Sequence, residues 1–310
     1  MQAQDPRGAR LAIRARTTGL TAAHVDRALT DRSLLITWLN RGTLHLVRSE
    51  DYPWLLGLTA PPHFTQSTRR LAQEGVSPAD AERAVAAIER ALADRGPLTR
   101  AELRDHVAAT GARTEGQALV HIIGLASLRG LIVRGPMLGR EHGYVLVRDW
   151  LGAPRPFDRD VALAELARRY LVGHGPAGDR DLARWAGLPL RDVRAGLSAI
   201  ASELEERPDG LVQLAGRPAP AEMPPPRLLG PYDPVLLGWA SREPILGPHT
   251  GIVTVNGLFR PFALVGGRAV AIWRVAQGEV ALEPLGRITR RDAKALESDA
   301  ADVVRFLAWA

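Results

Sequence analysis

The sequence predicts an α+β fold in which tandem winged-helix units are followed by a small C-terminal β domain. Segments with helical periodicity recur in sets along the first 216 residues. Two of these sets end in a pair of β-rich runs around a Gly-containing turn. Helices followed by a hairpin give the element order of a winged helix, although helix-turn-helix shapes also occur as plain packing units.

The first unit, residues 1–60, combines two short helices with a hairpin. Asp5 is the expected N-cap of the first helix, and Pro6 fits its first position because no N–H is needed there. The predicted elements are helices over 5–16 and 21–29 and strands over 34–39 and 43–47 around Asn40-Arg41-Gly42. The first helix of a complete winged helix is missing, so we expect a gene start upstream of Met1 or a truncated protein.

The second unit, residues 78–150, follows a predicted linker over 61–77 that has helical potential in its middle. Thr99 and Glu102 have the spacing of a capping box at the start of a helix. The expected elements are helices over 78–93, 100–110 and 114–129 and strands over 131–134 and 144–147. This unit has all the elements of a winged helix.

The third unit, residues 151–216, repeats the element order without sequence identity. Its expected helices cover 159–171, 179–186 and 190–204, and a short strand covers 211–214. A Pro-rich and Ala-rich stretch then marks the start of the C-terminal domain, residues 217–310. There we expect strands at 227–229, 244–246, 251–255, 259–265, 269–275 and 280–285, forming a small sheet or partial barrel, with a closing helix over 291–309.

Composition excludes several kinds of chemistry. The 310 residues contain no cysteine, so a thiolate nucleophile, a disulfide framework and a zinc finger are excluded. Net charge is +6 and the pI is about 10.5, which permits a polyanionic partner. No apolar run is long enough to span a membrane and no signal peptide is evident, so we expect a cytoplasmic protein that associates with the nucleoid when it is bound to DNA.

The stretch Gln2-Ala3-Gln4 carries the strongest chemical hypothesis. In an extended segment, Gln2 and Gln4 lie on the same face. Two adjacent carboxamides can hold one water from two directions and stabilise a cation through their carbonyl oxygens. They cannot act as strong general bases, because a carboxamide has no useful pKa. The alternative is a solvated chain terminus.

Three further stretches resemble a known family. They are Trp38-Leu39-Asn40-Arg41-Gly42-Thr43-Leu44-His45-Leu46-Val47, Leu228-Leu229-Gly230-Pro231-Tyr232-Asp233-Pro234 with Leu237-Gly238, and Asn256-Gly257 through Phe259-Arg260-Pro261 to Trp273-Arg274. Together they resemble the winged-helix DNA glycosylases of the AlkZ-like and YcaQ-like kind, which remove bulky or cross-linked alkylpurines. The resemblance implies three tandem winged helices around DNA and a C-terminal β domain.

The resemblance also implies the catalytic residues. The family motif is Gln–aliphatic–Gln or Gln–aliphatic–Asp, and Gln2-Ala3-Gln4 fits the first form. An N7-alkylated purine is already cationic and leaves as a neutral base, so a positioned water can suffice without a general acid. Lys294, the only lysine, falls in the closing helix, which favours a monofunctional hydrolase over an imine-forming enzyme. No cofactor and no metal site are predicted.

The expected partner is double-stranded DNA with alkylated purines, bound by a monomer. The candidate DNA contacts are Arg10, Arg14, Arg41, His45, Gln117, Arg134, Arg140 and His142. For each of these residues, the alternative interpretation is a solvated surface residue. For His45, a structural histidine is a further alternative. Two other functions remain open at this point: a non-catalytic winged-helix regulator and an inactive fragment of the glycosylase family. Release of base from a duplex with one N7-methylguanine would separate the enzyme from the regulator.

Overall fold

A computed structural model describes residues 1–153, 156–218 and 222–308. It contains helices and antiparallel sheets in the predicted α+β arrangement. The chain divides into two compact units, one formed by Met1–Val25, Leu166–Trp185 and Leu197–Ala310 and the other by Asp26–Glu165 and Ala186–Gly196. We call them the terminal unit and the helical unit. The five predicted segments of the chain stay a prediction, because a division into two compact units does not test their boundaries.

The helices and strands in chain order are α1 (Pro6–Arg14), α2 (Ala22–Thr30), β1 (Leu34–Trp38), β2 (Leu44–Arg48), α3 (Tyr52–Thr59), α4 (Phe64–Gln73), α5 (Pro78–Arg95), α6 (Arg100–Ala108), α7 (Ala118–Leu128), β3 (Ile132–Leu138), β4 (Glu141–Leu146), α8 (Val147–Trp150), α9 (Arg159–His174), α10 (Asp179–Ala186), α11 (Leu190–Ala199), β5 (Leu204–Glu206), β6 (Val212–Leu214), β7 (Arg227–Leu229), α12 (Glu243–Leu246), β8 (Phe262–Val265), β9 (Arg268–Ala276), β10 (Glu279–Pro284) and α13 (Arg290–Leu307).

The two hairpins of the helical unit belong to one sheet with the strand order β2-β1-β3-β4. The hairpins meet where Ile36 pairs with Arg134. Beneath the sheet, α5, α6 and α7 bury an aliphatic core that includes Ile88, Leu103 and Ile122. The predicted capping box is confirmed: the Thr99 hydroxyl accepts from the Glu102 backbone N–H, and the Glu102 carboxylate accepts from the Thr99 backbone N–H.

The terminal unit contains a second antiparallel sheet, in the order β10-β9-β8-β7, and the small ribbon β5-β6. Phe262 and Ile272 lie in the core on one side of the larger sheet. The closing helix α13 packs against β7 and β10 and buries Leu296, Val303 and Phe306. Trp309, the predicted last residue of this helix, lies outside the described residues.

Several sequence expectations are wrong in detail. Residues 244–246 form α12 rather than a strand, since Pro244 fits a helix N-terminus. Residues 251–255 form a turn region held by a bridge between Val253 and Phe259. The helix expected over 190–204 ends at Ala199. The helical potential expected in the middle of the linker over 61–77 is confirmed, because Phe64–Gln73 form α4. In the part of the chain that the structure describes, no helix is long and apolar enough to cross a bilayer.

Candidate active site

The structure brings the carboxamides of Gln2 and Gln4 together. Gln2 forms part of a β-bridge, and its Nε2 donates a hydrogen bond to Gln4 Oε1. Gln2 is buried, with 8% of its surface exposed, whereas Gln4 is exposed. The hydrogen bond from Gln2 therefore orients the Gln4 side chain and occupies one lone pair of its carbonyl oxygen. The second lone pair of that oxygen can accept from a water.

Helix α1 begins directly after this pair. The Asp5 carboxylate caps the helix by accepting from the Gly8 backbone N–H at 2.5 Å, and Pro6 occupies the first turn. Both expectations for these residues are confirmed. Because the Asp5 carboxylate is engaged in the cap, we do not assign it the role of general base.

Two glycines let α1 approach the loop after β7. A Cβ at Gly8 would lie 2.5 Å from the carbonyl oxygen of Pro231, and one at Gly230 would lie 3.0 Å from the Leu11 Cβ. No larger residue fits either position without a shift of backbone. This close packing fixes the distance between the start of α1 and the loop that carries Tyr232.

The same loop is held to the end of α1 by an ion pair. Arg16 donates to both carboxylate oxygens of Asp233, at 2.7 and 2.9 Å, and Asp233 is completely buried. Asp233 also accepts from the Val235 backbone N–H at 2.9 Å. With these anchors, Tyr232 adopts the left-handed conformation, φ +59°, which is uncommon for a residue with a side chain.

Arg14 ties α1 to the closing helix. Its guanidinium donates to the Asp299 carboxylate, to the Asp299 carbonyl at 2.9 Å and to Asp302 at 2.8 Å. Asp299 also accepts from Arg227 and from the Leu228 backbone N–H, each at 2.7 Å. Buried carboxylates need such compensation, and here one carboxylate joins α1, β7 and α13.

A cavity of about 660 Å³ opens beside Gln4 within the terminal unit. Its walls come from α1, the loop after β7, the turn before β8 and strand β9. They are lined by Gln4, Asp5, Arg7, Leu11, Pro231, Tyr232, Thr254, Leu258, Phe259, Arg260, Pro261, Trp273, Arg274 and Val275. The carboxamide that can position a water thus lies at the wall of a space large enough for a ligand.

Three exposed arginines line this cavity, namely Arg7, Arg260 and Arg274. Against them stands a single carboxylate, Asp5, so the cavity attracts anions such as phosphates. The sequence reasoning named none of the three as a candidate DNA contact. Arg260 and Arg274 nevertheless stand inside the stretches that carry the family resemblance, and that position was the available signal.

Three predicted DNA contacts are buried instead, which corrects the expectation for them. Arg14 is 3% exposed and bonded to Asp299. Arg10 is 4% exposed and donates to the Pro6 carbonyl at 2.8 Å. His45 is 7% exposed with Nδ1 2.9 Å from the Thr43 carbonyl, and burial lowers its pKa well below the usual value. A buried neutral imidazole offers no charge to a phosphate.

The other predicted contacts lie in the helical unit and differ in accessibility. Arg140 is exposed at the β3–β4 turn, and Gln117 is exposed at the start of α7. Arg41 lines a cavity of about 170 Å³ together with Arg70. Arg134 is half-buried between the rings of Trp38 and Tyr144, at 5.4 and 5.3 Å from their centroids. His142 is half-buried on β4.

Helix α7 has no broad exposed face. It is the helix that precedes the β3–β4 hairpin, the position of a recognition helix in a winged helix. Nine of its eleven residues are buried, and the other two, Val120 and His121, are half-buried. A helix buried all round belongs to a core, so α7 presents no row of side chains to a major groove.

The described residues that line the cavity at Gln4 include no lysine and no cluster of metal-ligating side chains. Lys294 is exposed on α13 and does not line the cavity at Gln4. Across residues 1–153, 156–218 and 222–308, no group of three or more His, Asp or Glu side chains is arranged to hold a metal ion.

Comparison with known proteins identifies the class of protein to which this fold belongs. The family described as DNA glycosylase AlkZ-like matches residues 1–306. The chain belongs to this family and is a DNA glycosylase.

Two relatives place the chain within that class. The interstrand DNA cross-link repair glycosylase of Streptomyces sahachiroi is 28% identical over 339 aligned positions, which cover 98% of this chain and 87% of the relative. The solved structure of the Streptomyces sahachiroi DNA glycosylase AlkZ is similar with a TM-score of 0.81 and 26% identity, covering 99% of this chain and 88% of that one.

Proposed function

We propose that this glycosylase hydrolyses the N-glycosidic bond of N7-alkylated purines in double-stranded DNA, including bulky and cross-linked adducts. The observation that carries the proposal is the Gln2–Gln4 hydrogen bond at the wall of the arginine-lined cavity. The relative named for interstrand cross-link repair supports the choice of bulky adducts. Water positioned by the pair is the nucleophile, and no covalent intermediate with the protein forms.

The chemistry follows from the substrate and the two carboxamides. The alkylated purine carries a positive charge and departs as a neutral base, while the sugar becomes an oxocarbenium-like cation. Gln4 Oε1, oriented by Gln2, accepts from the attacking water and faces the developing positive charge with its carbonyl dipole. Departure of the base requires no proton donor, because the alkylated purine already carries its positive charge. The proposed mechanism therefore does not depend on a general acid.

Burial of α7 argues against the regulator. A regulator reads base edges, and in a winged helix that reading is done by side chains of an exposed recognition helix. A repair enzyme instead binds phosphates independently of sequence. We propose that such contacts come from Arg7, Arg260 and Arg274 in the terminal unit and from Arg41, Gln117 and Arg140 in the helical unit, with the protein acting as a monomer.

The direct test is a mixed-sequence duplex with one N7-methylguanine, assayed with enzyme in excess. We expect free N7-methylguanine and an intact abasic strand, with the same rate in EDTA, because neither carboxamide needs a metal ion. Borohydride should trap no protein–DNA complex, since no lysine lines the cavity. Tight binding to one operator sequence without base release would support the regulator instead.

Replacing Arg260 or Arg274 with alanine should weaken binding to unrelated duplex sequences alike. Each arginine is expected to neutralise about one phosphate, so the slope of log K against log salt should become shallower by about one. Fluorescence anisotropy over a salt series measures both effects. Arg83→Ala is the control, because Arg83 is already paired with Asp80 on α5. A loss confined to one sequence would mean that the arginine reads a base.

A further inference from the structure

Two half-buried aromatic rings form an apolar part of the wall of the cavity at Gln4. The Tyr232 and Phe259 rings have centroids 5.1 Å apart and are tilted by 35°. Both are half-buried and both line the cavity. Leu258 beside them is 58% exposed. Aromatic surface left open beside a reacting centre is a binding surface for flat apolar groups.

The two rings are held in place by their surroundings. The Arg242 guanidinium lies 5.0 Å from the Phe259 centroid, and its Nε donates to the Leu236 carbonyl at 2.8 Å. Tyr232 is fixed in the left-handed conformation by the buried Asp233 next to it. Such a conformation costs free energy at a residue with a side chain, and proteins retain it where the side chain has a use. The Tyr232 pKa is raised by burial and by the Asp5 charge, so the phenol stays protonated.

The size of the cavity exceeds what a methylated base requires. Its 660 Å³ lies in the range of sites that enclose drug-sized ligands. In a purine, N7 and N9 belong to the same five-membered ring, so a substituent on N7 begins close to the bond to be cut. A substrate with its sugar at Gln4 therefore carries its N7 substituent into the same cavity.

We propose that Tyr232 and Phe259 form a subsite that binds an aromatic substituent on N7 of the target purine. The subsite rests on the proposed function, because it requires the scissile bond to lie at Gln4. It selects among N7 adducts: aryl groups gain stacking on the two rings, whereas methyl and short aliphatic groups gain little. Positively charged walls around it, from Arg260 and Arg274, hold the flanking phosphates.

The test compares two guanine N7 monoadducts in the same duplex, one from an aryl nitrogen mustard and one from an aliphatic nitrogen mustard. Single-turnover release is measured for the wild type and for Tyr232→Leu, Tyr232→Phe and Phe259→Leu. We expect the aryl-to-aliphatic rate ratio, taken below saturation, to fall about tenfold in the two leucine variants, the effect of losing one stacked ring. Tyr232→Phe keeps the ring and should keep the ratio.

The ratio protects the test from folding defects, because unfolded protein lowers both rates equally. Phe157→Leu is the matched control: Phe157 is 42% exposed in the helical unit and does not line this cavity. A ratio that stays within twofold of wild type in both leucine variants overturns the subsite, as does an equal fall in Tyr232→Phe and Tyr232→Leu. A wild type that releases neither base overturns the proposed function itself.

Discussion

Gln4→Ala is expected to lower the single-turnover rate of base release by about two orders of magnitude, which is typical for the loss of one preorganised polar group. The variant removes the carbonyl that Gln2 orients and, with it, the acceptor that we propose for the attacking water. Because Gln4 is exposed, the Tm should stay close to that of the wild type. Release of N7-methylguanine with enzyme in excess is the measurement.

Two further variants make this prediction specific. Gln4→Asp supplies a carboxylate that can act as a base, so it should retain more activity than Gln4→Ala. Gln73→Ala is the control, because Gln73 is an exposed glutamine at the end of α4 in the helical unit. Full activity of Gln4→Ala would remove the glutamine pair as the catalytic site.

Local signals in the sequence predicted local structure well. The Thr99 and Asp5 caps act through residues three positions away, and each forms the expected hydrogen bond. The Gln2–Gln4 contact is equally local, since its partners are two residues apart. In these three cases the physical cause lies within one helical turn or one strand, and the residue types were sufficient to predict the contact. At α12, by contrast, the local signal of Pro244 was misread and a strand was expected.

Long-range contacts account for what the sequence did not predict. Arg14 reads as an exposed cation on α1, and nothing near it in the chain indicates that Asp299, 285 residues later, buries it. The pairing of β1 with β3 likewise joins two hairpins that looked independent. The cavity is a third case, because its arginines come from α1, the turn before β8 and β9. Only the folded chain brings such residues together.

Asp299→Ala should destabilise the terminal unit by about 3–5 kcal/mol, the usual effect of removing one partner of a buried ion pair. The change leaves the buried Arg14 only partly compensated, by Asp302, and it leaves the Leu228 backbone N–H without its acceptor. Calorimetry should record a lower Tm, and base release should fall with it at assay temperature because α1 positions Gln4. Glu297→Ala is the matched control, as Glu297 is an exposed carboxylate on the same helix.

The double variant Arg14→Met with Asp299→Leu separates the buried charge from the loss of packing. Replacing both charges by apolar groups of similar size removes the uncompensated cation, so this protein should be more stable than Asp299→Ala alone. Arg227 and Asp302 remain in place and can pair with other groups or with water. If Asp299→Ala melts like the wild type, Arg14 has found another partner, and the ion pair does not hold α1 to α13. If the double variant is more stable than Asp299→Ala but releases base more slowly, the charges of Arg14 and Asp299 contribute to the position of Gln4 in addition to their effect on stability.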